Sequence, residues 1–235
     1  MPSETVLVVG ATGNVGVSAV IGSLRSGRGV LAVVRNQASA DKLFKHVGSK
    51  EGITTVEADV ASESGVQGVV DQVKAGKLPA FQHVYSTVGM MIMKSPLQDV
   101  STAELRKMMN VAVEGNFFAY RATIPYLIEQ GHKSSWTLMT GWAGVTAIGQ
   151  GALFSMANVA CRENTKTNVR FNEVYLNLRV EVDSDAETKG GSVVPSSEFG
   201  RHYEELLKRE DIEACRISIL ERADVADLKF RKKLG

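Results

Sequence analysis

The chain has 235 residues, 27 basic and 26 acidic side chains, a net charge of +1 and 44% hydrophobic residues. That length suits one α/β or barrel-type domain with ample sequence for a core, and the near-zero charge excludes the footprint that sequence-independent nucleic-acid binding needs. Two cysteines, Cys161 and Cys215, are too few for a disulfide framework, and no stretch approaches the ~18 uninterrupted apolar residues of a membrane span. The apolar run that starts at Val6 stops at Gly10, too short for a leader. The expectation is a cytoplasmic protein with reduced thiols, no membrane association and no nucleic-acid partner.

Short β-branched runs alternate with longer helical patterns. In chain order, strands are predicted over residues 5–9, 30–34, 53–56, 83–86, 136–139, 169–176 and 216–220, most apolar enough to be buried on both faces. Helices are predicted over 15–25, 38–47, 63–74, 102–130, 153–162 and 198–209, the longest opened by a capping box of Ser101 and Glu104. This order argues for a single α/β domain, a doubly wound parallel sheet of Rossmann type. Residues 183–197, crowded with Asp, Ser, Thr, Gly and Pro, predict a mobile loop of the lid kind next to the substrate. The basic ending, 229–233, reads as a solvated, frayed terminus.

The strongest motif is the first strand running into Gly10-Ala11-Thr12-Gly13-Asn14-Val15-Gly16 and then a helix. Glycines are needed where the backbone turns tightly and where a pyrophosphate approaches amides at the positive end of a helix. The second strand ends Val34-Arg35-Asn36, without the acid that grips a free 2′-hydroxyl about 20 residues on. Arg35 offers a cation for a 2′-phosphate instead, which favours NADP(H) over NAD(H).

With these elements in order the chain resembles the short-chain dehydrogenase/reductase superfamily over most of its length. The resemblance extends through Ala58-Asp59-Val60 after the third strand, Ser86-Thr87-Val88-Gly89 after the fourth, Gly115, Phe117, Ala122 and Pro125 in the long helix, and Ala143-Gly144 after the fifth strand. It implies that Asp59 and Val60 lie near an adenine and that residues 86–89 border the cofactor. Gly13 stands one place earlier than in the commonest glycine turn of the superfamily, as in its atypical, regulator-related branch.

Members that move hydride use a tyrosine acid, a lysine that lowers its pKa, a serine that orients the carbonyl and an asparagine that organises a water, because hydride arriving at a carbonyl leaves an alkoxide to be protonated. At these registers stand Phe154, Asn158, Gly141 and Ala112, and Tyr-x-x-x-Lys occurs nowhere in the sequence. Asn110 lies two residues from the asparagine position, on another side of its helix. Thr140 and Tyr175 are the hydroxyls left as candidate catalytic groups. Met90, Met91, Met93, Trp142, Phe154 and Met156 are candidates for an apolar substrate pocket. His46, His83, His132 and His202 lack ligand spacing, so no metal is expected.

Three functions follow from this set. The first is an NADP(H) enzyme acting on a small apolar molecule by reduction of an activated C=N or C=C bond, or by non-redox cyclisation or isomerisation, as the resemblance to members from natural-product pathways implies. The second is a ketoreductase with replacement groups, and the third a catalytically silent NADP(H) sensor. A homo-oligomer is open, but the fifth helix, read as only 154–162, puts the dimer of the superfamily in doubt.

Overall fold

The computed structural model describes residues 4–90, 97–141 and 147–233. Strand β1 (Thr5–Val9) has four of its five residues buried, so both of its faces are covered. It is followed by α1 (Asn14–Arg25), β2 (Gly29–Val34), α2 (Gln37–Val47), β3 (Ile53–Glu57), α3 (Gly65–Lys74) and β4 (His83–Ser86). The second half runs α4 (Thr102–Met108), a π-helical stretch over Met109–Glu114, α5 (Gly115–Glu129), β5 (Ser134–Gly141), α6 (Ala147–Asn164) and β6 (Val169–Leu176). It closes with β7 (Val180–Glu181), α7 (Asp183–Lys189), β8 (Val194–Pro195), α8 (Ser196–Lys208), β9 (Cys215–Ile219) and β10 (Lys229–Lys232).

The main sheet has the order β3-β2-β1-β4-β5-β6-β9-β10, parallel except for β10. This is the doubly wound Rossmann arrangement, whose strand order reverses between β1 and β4 and opens a crevice there. Core residues divide between the two faces as strand alternation demands. Val17, Val20, Phe199 and Tyr203 pack on one side. Trp136, Phe171, Leu127 and Val70 pack on the other, where the Trp136 and Phe171 rings stack with centroids 5.2 Å apart.

Four expectations change. Residues 183–197 are not a structureless loop: they form α7, a short turn and β8, which pairs with β7. Val182, Ala186, Val193 and Val194 are buried there, and Asp183 and Asp185 sit in the first turn of α7, where carboxylates favour the helix dipole. A few apolar anchors among polar residues hold this segment, which a composition argument misses. Residues 229–232 are an edge strand rather than a frayed end, with a lysine- and arginine-rich character that blunts further pairing. Helix α6 has 18 residues, not nine, because the reading began after Gly149 and Gly151, residues of low helix propensity. That removes the ground on which a helix-paired dimer was doubted. The predicted helix over 102–130 exists with its capping box, but a π-helical stretch divides it.

Candidate active site

The glycine turn is a close-packed backbone device. Gly10 has φ +86°, and a Cβ on Gly16 would stand 2.1 Å from the Gly10 carbonyl oxygen, so only glycine lets α1 start this near β1. Gly13, exposed and extended, precedes α1 without any side-chain cap. The first-turn N–H groups of Asn14, Val15 and Gly16 are thereby presented at the positive end of the helix, an arrangement that fits a phosphate. Thr87 closes the other wall, its Oγ1 donating to the Gly10 carbonyl at 3.2 Å.

Sequence reasoning missed Asn116. Its buried amide donates to the carbonyls of Val88 (2.8 Å) and Ala112 (2.6 Å) and accepts from Ser86 Oγ (2.6 Å), fixing the 86–89 segment to the long helix. A lone polar residue in an apolar stretch of helix was the available signal. Ser86 and Val88 are buried, Gly89 is exposed and Met90 half-buried.

Arg35 emerges exposed from the end of β2, and its guanidinium has no partner among the described residues. Asn36, beside Arg35 a candidate to contact the cofactor, instead caps α2 with its side chain, accepting from Ser39 N at 2.9 Å, which leaves only its backbone to a ligand. Asp59 accepts from Ala61 N at 3.0 Å, and Val60 is half-buried beside it. Thr12 is half-buried within the glycine turn and Val15 packs against the core. Asn14 points its side chain away from the cradle, donating to Val180 O (3.0 Å) and Glu181 Oε2 (2.8 Å). Hydrogen bonds from Lys189 and Arg179 hold the Glu181 carboxyl below its ordinary pKa. Asn14 thus anchors the segment after β6 to the glycine turn.

The β5–α6–β6 end is built from side chains. Thr140 does not face the crevice: alternation puts it under α6, where it is buried and donates to Glu173 Oε1 at 2.7 Å. Glu173, fully buried, also receives both Arg216 Nε (3.0 Å) and Nη2 (3.1 Å) and the ammonium of Lys233. Lys233 additionally donates to the Phe154 carbonyl at 3.3 Å. The Arg216 guanidinium lies over the Phe154 ring, 4.8 Å from its centroid, and 5.5 Å from that of Tyr175. The Phe154 and Tyr175 rings are 5.8 Å apart, and the half-buried Tyr175 hydroxyl has no partner among the described residues.

Of the other residues expected at tetrad registers, Ala112 is buried in the π-helical stretch, Asn158 is exposed on α6, and Gly141 ends β5 opposite Leu176. Asn110 points elsewhere, donating to Glu114 at 2.7 Å. Of the candidate pocket residues, Phe154 is half-buried against Tyr175 and Arg216, whereas Met156 packs against the core, two positions round the helix. Met91, Met93 and Trp142 lie outside the described residues.

His83, His132 and His202 are engaged in hydrogen bonds within the fold. His202 Nδ1 donates to the Phe199 carbonyl, so its Nε2 accepts from Tyr85 Oη at 2.5 Å, and burial lowers its pKa to about 4. Burial likewise pushes the Cys161 thiol up to about 12, an inert thiol. Among the described residues no group of His, Cys, Asp or Glu is arranged to hold a metal ion, and no described helix is long and apolar enough to cross a membrane.

Comparison with known proteins bears on this architecture. The short chain dehydrogenase family model matches residues 4–177. The short-chain dehydrogenase/reductase iacG of Pestalotiopsis fici is 51% identical over 241 residues, covering 98% of this chain and 97% of that protein. A short-chain dehydrogenase from Streptomyces avermitilis superposes with TM-score 0.76 at 16% identity over 95% of this chain and 91% of its own. ElxO with NADP bound superposes with TM-score 0.76 at 13% identity, covering 89% and 93%. The glycine turn, the strand order and this breadth of similarity agree: the chain belongs to the short-chain dehydrogenase/reductase family.

Proposed function

We propose that the chain is an NADP(H)-dependent enzyme acting on a small, apolar organic molecule by chemistry that needs no tyrosine acid: reduction of an activated C=N or C=C bond, or a non-redox cyclisation or isomerisation. The observation that carries this reading is Phe154, aligned by sequence with the tyrosine register: a ring without a proton to give, in contact with the Arg216 guanidinium and the Tyr175 ring. The glycine cradle suits the pyrophosphate, and Arg35 at the end of β2, without a partner among the described residues, suits a 2′-phosphate, which supports NADP(H) over NAD(H). A bound nicotinamide supplies or accepts hydride. The chain's own residues position the cofactor through the amides of Asn14, Val15 and Gly16, fix its 86–89 wall through Asn116, and present an apolar face at Phe154. The cytoplasm is the compartment this reading assigns. A helix-paired homo-oligomer is part of it, since α5 and the full-length α6 expose Phe117, Ile148 and Val159.

The test is twofold. Purified protein is titrated with NADPH and NADH, then supplied with NADPH and panels of enones, imines and ketones. NADPH consumption with enones or imines is expected; reduction restricted to ketones supports the ketoreductase reading, with Tyr175 as the donor. Arg35→Ala is expected to weaken NADPH about tenfold, ~1.4 kcal/mol, and leave NADH unchanged. Absence of any transformed compound, with a protein partner captured in one redox form only, overturns the enzyme reading in favour of a sensor.

A further inference from the structure

We propose that Gln150 is the hydrogen-bond donor that polarises the substrate oxygen, and that the substrate class this selects is an α,β-unsaturated carbonyl compound rather than an iminium ion. The proposal rests on the reductive reading above and names its substrate.

Gly141, at the serine register, donates its N–H to Gln150 Oε1 at 3.0 Å. Because the partner is a donor, the amide oxygen must face Gly141, which turns the Nε2 hydrogens to the opposite side of the carboxamide. Nε2 has no partner among the described residues, and Gln150 is half-buried. A serine cannot simply take over this role: a Cβ on Gly141 would stand 2.8 Å from the Leu176 carbonyl oxygen of the neighbouring strand. Thr140, the adjacent hydroxyl, is engaged with Glu173 beneath α6. The strand end therefore has no room for a serine hydroxyl at position 141 and holds an amide donor beside it.

Local charge selects between the two activated substrates. Beneath Phe154 one buried carboxylate, Glu173, faces two cations, Arg216 and Lys233, both in contact with it. This surplus of positive charge, together with the positive end of an N–H dipole, disfavours a cationic iminium and favours an oxygen that gains negative charge. In an enone, hydride from the reduced nicotinamide forms a new C–H bond at the β-carbon. The C=C π pair moves to the α-carbon–carbonyl bond, and the C=O π pair moves onto oxygen as an enolate. Gln150 Nε2–H donates to that oxygen without losing its proton. The α-carbon takes a proton from water, leaving hydroxide, so the enone is reduced to the saturated ketone and NADPH is oxidised to NADP+. No tyrosine acid is needed, because the proton goes to carbon from solvent.

The full-length protein is assayed with NADPH and either 2-cyclohexen-1-one or 2-methyl-1-pyrroline, as wild type, Gln150→Glu and Gln150→Leu. Gln150→Glu keeps an acceptor for the Gly141 N–H and removes the donor, so the fold is retained. The wild type is expected to prefer the enone, and both variants to lose about 100-fold in kcat/KM for it with NADPH affinity unchanged. The C=O stretch of 2-cyclohexen-1-one bound with NADP+ is expected at lower wavenumber in the wild type than in Gln150→Leu. Unchanged turnover and an unshifted stretch in the variants, or preference for the imine, overturn the proposal while leaving the reductive reading standing. A wild type that binds NADPH but reduces neither probe, nor any other enone or imine, overturns both.

Discussion

At the β1–β4 end of the crevice the organising groups are backbone amides of the turn from Gly10 to Gly16, consecutive in the chain. At the β5–α6 end they are side chains of Gln150, Phe154, Tyr175, Glu173, Arg216 and Lys233, contributed by α6, β6, β9 and the residue after β10. A backbone device has its shape set by local spacing and tolerates almost any surrounding sequence. A side-chain device can exchange its chemistry one residue at a time while the sheet beneath stays the same. The family fold is thus kept by a backbone device at one end, while the proposed chemistry rests on side chains at the other.

The contrast can be broken most forcefully at the buried charge cluster. Glu173→Gln leaves Arg216 and Lys233 without their counter-charge, and a loss of about 4 kcal/mol in unfolding free energy is expected by urea denaturation. If stability is unchanged, the β5–α6 end is not organised by that carboxylate. Next, Gly13→Val tests the backbone device alone. Gly13 has an ordinary extended φ of −78° and its Cβ would meet only the Gly10 carbonyl oxygen, at 3.6 Å, so the fold is retained while a side chain enters the phosphate cradle. A loss of NADPH affinity of at least 100-fold, ~2.7 kcal/mol, at unchanged Tm is expected; retained affinity would place the cofactor elsewhere.

The smallest effect is on pH dependence and concerns the α8 side, below the phosphate half. His202 takes up a proton near its ordinary value of 6.5 when unfolded, but only near 4 when buried in the fold. The unfolded chain therefore binds more protons between these values, so the contribution of this neutral histidine is complete above pH 6.5 and declines as pH falls toward 4. From pH 6.5 to 5 the expected loss is about 2 kcal/mol for this residue, and His202→Gln should flatten that slope. An unaltered slope would remove His202 from the account; His83, also lowered to about 4 by burial, would then be the group to replace.

Much of the architecture could be read in advance, for physical reasons that particular residues illustrate. Strands β1, β4 and β6 match their predicted spans because each is a short run containing β-branched or aromatic residues that is set off by its immediate neighbours in sequence. The capping box at Ser101 and Glu104 is a contact between residues three apart, so it too is local. Helix α7 and strand β10 were not legible. Each is held by a few distant contacts: Glu181 by Lys189 and Asn14, Lys233 by Glu173, pairs separated by up to 167 residues. Within the site the same division holds. The glycines and Arg35 could be assigned a place from spacing, whereas Thr140 was wrongly directed toward the crevice, since its partner Glu173 lies 33 residues away.

The sequence by itself determined the doubly wound sheet, the position of the glycine turn and the absence of any Tyr-x-x-x-Lys segment, because each depends on residue type at short separation. Only the tertiary structure decided which polar groups remain available for chemistry. Thr140 is consumed by Glu173, Asn14 by Glu181 and Asn36 by its own helix, while the donors of Gln150 and Tyr175 have no partner among the described residues. Whether a hydrogen-bonding group is free depends on every element packed around it, and no window of sequence contains that information.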